Sequence, residues 1–199
     1  MDYFVLDRKV DESGVMAHID SHPDGMPIKK YEFFKGISLK NRFPENPEYH
    51  FSLDEPGGRK LVDLHSNRMG ILIISKKFKE IISNETNLEF LPIKLINHRK
   101  KVASVDYTIA NIVGLLDCMD SAQSIGRQDP FFPDRFSRIN KLVIDEKKVP
   151  DGINIFRLKQ SPSTVIIKRV LKEKIEAVGL EGHLCVPIEE FDSAYYIGV

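Results

Sequence analysis

The sequence predicts an α+β protein, a mixed sheet carrying two pseudo-repeated β-α-β units and short helices. The main observation is that the chain writes one pattern twice, at residues 71–93 (ILIISKKFKEIISNETNLEFLPI) and 164–188 (TVIIKRVLKEKIEAVGLEGHLCVPI). Ile74 stands 93 residues before Ile167, and Ile82 stands 93 before Ile175. Pro92 stands 95 before Pro187, so the second copy carries two extra residues in its turn. Each copy reads as an apolar run suited to a buried strand, an amphipathic helix, and a second strand ending apolar-Pro-apolar. The second observation is that strand-length apolar runs outnumber helical ones. The third is that hairpin connections are mixed with helical crossovers.

In the first unit Phe78, Ile81 and Ile82 fall on one face of a 3.6-residue period, with Ser75 placed as N-cap. In the second unit Leu171, Ile175 and Val178 form the equivalent face, but Lys168 is a poor cap. Gly179 and Gly182 mark the helix stop and the turn after it. Around these units the chain predicts a first strand at 3–6 and a Gly/Pro-broken loop at 10–27. An aromatic strand or short helix follows at 31–37, then an irregular Pro/Gly-rich segment at 41–60. Residues 88–96 and 102–116, the latter as one long strand or two, form a hairpin across the basic turn His98-Arg99-Lys100-Lys101. Residues 121–138 read as a long loop, and 142–144 and 153–158 as strands. The expected organisation is one compact domain: residues 1–60 form an N-terminal strand plus irregular segment, and 61–199 form the core.

Composition excludes several function classes. The chain has 199 residues, with 29 basic and 29 acidic side chains, so bulk charge argues for no nucleic acid and no membrane surface. Cys118 and Cys185 are too few for a disulfide framework or a zinc site. There is no cationic-then-apolar leader at the start and no apolar run of about 20 residues. A cytoplasmic protein with reduced thiols is expected. No cofactor and no metal are expected: His18 and His22, which flank Asp20, sit in a broken loop without further ligands. Asp63 and His65 share a strand face and could form half of a catalytic dyad, but no nucleophile motif accompanies them. Asp117 and Asp120 could hold a cation, although loops commonly use Asp to cap their own amides. Arg157, between Phe156 and Leu158, faces the opposite side from both and is either solvated or a clamp for a carboxylate. No residue set supplies nucleophile, base and oxyanion donors together, so no catalytic residue is assigned.

The order of motifs resembles a known family. Leu61-Val62-Asp63-Leu64 precedes Ile73-Ile74-Ser75 and a Phe78-Lys79-Glu80 helix. Leu88-Glu89-Phe90-Leu91-Pro92-Ile93 comes next, then Tyr107-x-Ile109-x-Asn111 and Asp117-Cys118-Met119-Asp120. The stretch LVIDEKKVPDGINIFRLK and the second β-α-β unit complete it. From about 61 to 188 this is similar to the polymorphic-toxin immunity protein family numbered eleven, formerly a domain of unknown function. The chain departs at Lys168, where a Ser cap is usual, and in a longer, more aromatic segment at 130–136. The resemblance implies a non-enzymatic bacterial protein that binds and neutralises a cognate toxin. The alternatives are a small cytoplasmic hydrolase using Asp63 and His65, or a regulatory adaptor module. For a binder, the contact surface belongs on segments free to vary. Two qualify: 129–138, with Phe131, Phe132, Arg135 and Phe136, and 43–60, with Tyr49 and Arg59. Asp117 and Asp120 complete the expected partner-binding set. The competing expectation is that the three phenylalanines fold back over the core.

Overall fold

A computed structural model of the chain describes residues 2–9, 11–20 and 22–196. It is a mixed α+β fold. Each β-α-β unit is built as its sequence pattern requires. In the first, β4 (Leu72–Ser75) leads directly into α1 (Lys76–Ile82), and β5 (Leu88–Ile96) follows. In the second, β10 (Val165–Lys168) leads into α2 (Arg169–Ala177), followed by β11 (His183–Pro187). Ser75 caps α1, its Oγ accepting from the Phe78 amide at 3.1 Å, whereas Lys168 makes no side-chain cap bond. Phe78, Ile82, Leu171 and Ile175 are buried. Val178 departs from the expected face: it is the C-cap of α2 and is 45% exposed.

Neither unit pairs its own two strands. β4 and β5 both lie antiparallel to β6 (Val102–Ile112), which runs between them. β10 and β11 likewise flank β1 (Tyr3–Arg8), antiparallel to both. A short strand closes one edge of each set: β3 (Leu64–His65) beside β4, and β9 (Ile155–Arg157) beside β10. One sheet therefore contains the order β5-β6-β4-β3 and the other is β11-β1-β10-β9. The two halves share one topology, but the central strand comes from later in the chain in one half and from the chain start in the other. A parallel strand, β2 (Glu48–His50), extends the first sheet beyond β5.

Period-two alternation divides each sheet between cores. Leu72 and Ile74 face a cluster shared with Phe4, Leu6, Val165 and Ile167, into which both helices insert Phe78, Ile82, Leu171 and Ile175. Ile71 and Ile73 face a second cluster, closed by Ile19, Ile28, Phe33, Tyr49 and Phe51 of the N-terminal segment. On the far side of the other sheet, Val5, Phe156 and Ile166 meet Cys118, Met119, Ile139 and Leu142. Both faces of each central strand are covered, which is why these strands read as unbroken apolar runs.

The region at 31–37 is a 3-10 helix, Lys30–Phe34. The segment 121–138 is not one long loop, because it contains β7 (Ile125–Gln128) and the start of β8 (Phe136–Lys141), which form their own antiparallel hairpin. Residues 142–144 are not a strand. Leu142 and Ile144 are buried, but only the isolated Met119–Ile144 bridge pairs there.

Asp63 joins the halves. Its backbone accepts from Ser75 N at 2.9 Å and donates to Glu181 O at 3.0 Å. Its carboxylate accepts from Ser75 Oγ at 2.6 Å and from Glu181 N at 2.9 Å. Gly182 lets the α2–β11 turn approach this closely, since a Cβ there would sit 2.4 Å from Leu64 O.

Phe78→Ala or Leu171→Ala should each lower unfolding free energy by about 2–5 kcal/mol in urea denaturation, through lost burial plus the cavity left behind. Losses below about 1 kcal/mol at both positions would mean that these side chains do not hold the shared core. Asp63→Ala should cost about 2–4 kcal/mol, since it leaves a buried N-cap hydroxyl and a turn amide without their charged acceptor.

Candidate partner-binding site

The β7–β8 hairpin carries the most exposed aromatic residue of the described chain, Phe131, with Phe132 beside it. Phe131 is 84% exposed and Phe132 53%. Their loop is nonetheless fixed. One oxygen of Asp129 accepts from the amides of Phe131 at 2.8 Å and Phe132 at 3.1 Å. Asp129 N donates to Arg135 O at 2.8 Å, and Arg135 N to Phe132 O at 2.9 Å. The Arg135 guanidinium lies 4.9 Å from the centre of the Phe132 ring, a cation–π contact that orders both side chains. The tip therefore presents apolar area on a closed turn.

The three phenylalanines divide between the two expectations. Phe136 is half-buried against the core that contains Ile139, and its amide donates to Gln160 O at 2.8 Å. Paired with Gln128 at the loop end of the hairpin, it is core cover, while Phe131 and Phe132, in the loop itself, are exposed. Two residues that sequence reasoning left out belong to the same surface: Ile125 on β7, 60% exposed, and Arg127, whose Nε donates to Ser137 Oγ at 3.1 Å. The available signal was Gly126. A Cβ there would meet Arg138 O at 2.1 Å, the close approach of a paired strand.

Asp117 and Asp120 lie near the hairpin root but do not share a ligand. Asp117 accepts from Lys159 Nζ at 3.2 Å and from Gln160 Nε2, bonds that hold its carboxyl below the usual range. Asp120 accepts from the Gln123 side chain at 2.7 Å and the amides of Ala122 and Gln123, so it caps its own turn and its carboxyl is lowered too. Among the described residues no cluster of three or more His, Cys, Asp or Glu could hold a metal ion.

Tyr49 must be withdrawn from the surface. It is fully buried in β2, its hydroxyl 3.1 Å from His22 Nδ1, because parallel pairing with β5 turns it into the second core. Arg59 is exposed, on a groove of about 510 Å³ with Leu61, His98, Arg99 and Val102. It is remote from the hairpin: the eleven residues of β6, roughly 30 Å of strand, lie between the two ends.

Asp63 and His65 do not form a dyad, and no hydrogen bond joins them. Asp63 is occupied by Ser75 and Glu181. His65 is completely buried. Its Nδ1 donates to Ala17 O at 3.0 Å and its Nε2 accepts from Val62 N at 3.4 Å, so both ring nitrogens serve backbone. His22 is likewise held at both ring nitrogens, by Ile28 O and the Tyr49 hydroxyl, whereas His18 bonds Ser66 Oγ through Nδ1 alone, its buried Nε2 having no partner among the described residues.

These features define a two-sheet α+β protein with a rigid apolar projection and no assembled catalytic group among the described residues. Comparison with known families gives the same class a name. The model of the Immunity protein family (Imm11) matches residues 4–189, and the chain belongs to that family. No curated protein matches it. Among the described residues no helix is long and apolar enough to cross a membrane.

Burial drives the pKa of His65 from its ordinary 6.5 down to about 4, against the opposing pull of the Ala17 carbonyl and the Asp63 charge. The native state holds this ring neutral, whereas the unfolded chain takes up a proton near pH 6.5. The stability that His65 contributes is present above pH 6.5 and is lost as pH falls towards 4, a loss of up to about 3 kcal/mol. In urea denaturation across this window, His65→Gln should show a shallower decline than wild type. Equal slopes would place the acid sensitivity elsewhere.

Proposed function

We propose that this protein neutralises a cognate toxin by binding it, without catalysis and without a cofactor, and that the tip of the β7–β8 hairpin is the contact surface. Family membership supports the immunity role. The single structural observation that supports the site is the exposure of Phe131 and Phe132 on a turn already ordered by Asp129. Aromatic and arginine side chains on a preformed loop supply large contact area with little entropy left to lose on docking. Phe136 ties the strands to the core next to the loop, so residues 130–135 can vary to discriminate one toxin from another without disturbing the sheets. The Asp63–His65 arrangement gives the hydrolase alternative no support, because each side chain is occupied by structural hydrogen bonds.

The direct test is a pull-down with the product of the adjacent gene, followed by affinity measurements on hairpin variants. Phe132→Ala and Arg135→Ala should weaken toxin binding by about 2 kcal/mol or more while the melting temperature barely moves. A drop in stability with tight binding retained would make the loop part of the core and place the interface elsewhere. The Asp63→Ala/His65→Gln double variant, where folded, should still neutralise the toxin. Loss of neutralisation in that folded variant, with hydrolase activity in wild type, would establish the enzyme instead.

A further inference from the structure

Arg157 is the largest fully buried side chain of the described chain, 1% exposed. Buried guanidinium groups are ordinarily paired with an acid, because an unpaired charge away from water is costly. Arg157 forms no ion pair among the described residues. Its Nη1 donates to two backbone carbonyls, Pro162 O at 2.7 Å and Ser163 O at 3.2 Å. Its Nε, sealed from solvent, has no acceptor at all. The guanidinium lies over the ring of Phe34 at 5.1 Å, and nothing on its β9 strand or on neighbouring β10 offers a carboxylate. Burial and the nearby charge of Arg8 lower its pKa to about 10, which leaves it a cation at neutral pH.

A cleft of about 230 Å³ lies beside this group; Arg157 does not itself line it, and the lining includes Asp7, Arg8, Phe34, Gly70, Ser163 and Val165. Three of these touch or flank Arg157: Phe34 stacks on it, Ser163 accepts its hydrogen bond, and Val165 is its partner in the β9–β10 register. Arg8 brings a second guanidinium, held by Asn67 O at 2.8 Å and only loosely by Asp7 at 3.4 Å. Phe34 ends the 3-10 helix of the irregular N-terminal segment. Its ring lines the cleft and stacks on the buried cation, with Gly70 in the left-handed region leaving room beside it (a Cβ there would lie 3.3 Å from Phe34 Cζ).

We propose that this cleft binds a small free carboxylic acid, with Arg8 and Arg157 as its counter-charges and the Phe34 ring as the movable wall. A planar carboxylate fits the guanidinium fork and would give Nε the acceptor it lacks. The volume suits a compact mono- or dicarboxylate. The site shares no residue with the hairpin loop and does not depend on how the toxin is recognised.

The experiment titrates the full chain with acetate, glutarate and inorganic phosphate against chloride at matched ionic strength. It reads the melting temperature and the NMR signals of the Arg157 Nε–H and the Ser163 and Thr164 amides. The expected result is saturable binding of glutarate or acetate that raises the melting temperature and moves the Arg157 Nε–H signal. Arg157→Met, which keeps the volume and removes the charge, should fold and bind at least about tenfold more weakly. Arg8→Met provides the second variant, with the same expected loss, should Arg157→Met not fold. Equal responses in wild type and both variants, saturation by phosphate alone, or no saturable response would overturn the assignment. A blocked glutamate, acetyl-Glu-methylamide, should bind more weakly than glutarate. Equal affinity would show that the carboxylate belongs to a protein side chain and would overturn the free-acid proposal.

Discussion

The Asp63 carboxylate is the point on which the two halves of the molecule are registered. It receives the Ser75 hydroxyl from the first helix cap and the Glu181 amide from the turn after the second helix. The same two residues bond its backbone. A carboxylate that accepts hydrogen bonds from two elements far apart in sequence fixes their distance more tightly than apolar packing does, because hydrogen bonds are directional. The shared core beneath supplies the larger part of the free energy. The polar bridge specifies how the two sheets are set against each other.

Duplicated topology explains why the helices matter to both halves. Each is the crossover of a split β-α-β unit, and both direct their buried faces into one cluster fed by both sheets. Neither half could close without a strand that the repeated pattern does not contain. β1 completes one sheet and β6 the other. β1 is thereby locked into the middle of a sheet, and Ile19, Ile28, Phe33, Tyr49 and Phe51 cover the outer face of the other.

A structure held together this way leaves its projections free. The β7–β8 hairpin packs on the third core along β8, through Phe136 and Ile139, and the loop beyond them is ordered by local bonds to Asp129. Local order without core contact allows a surface to change in sequence while the fold persists. Family membership and an exposed aromatic loop ordered by its own local bonds both support the proposed contact surface.

Much of the fold was legible in the sequence. The repeat, the Ser75 cap, the buried four-residue strands and the turn at 97–101 follow from period, cap chemistry and turn chemistry, which are properties of neighbours in the chain. The hairpin at 125–141 was not legible, because its strands are mostly exposed on both faces and show no alternation. The run 142–144 misled for the opposite reason. Its apolar residues are buried by a loop crossing the sheet, and burial without pairing looks like a strand in sequence. Tyr49 was misplaced because its Pro-rich surroundings suggest surface, and only parallel pairing with β5 turns it inward. The sequence by itself determined which residues are apolar, where helices start and stop, and that one pattern occurs twice. Tertiary structure alone decided which strands lie between the repeated ones. It also decided that Asp63 and His65 serve backbone rather than each other, and that Arg157 is buried without an acid. Those outcomes depend on contacts between segments far apart along the chain, which local patterning does not encode.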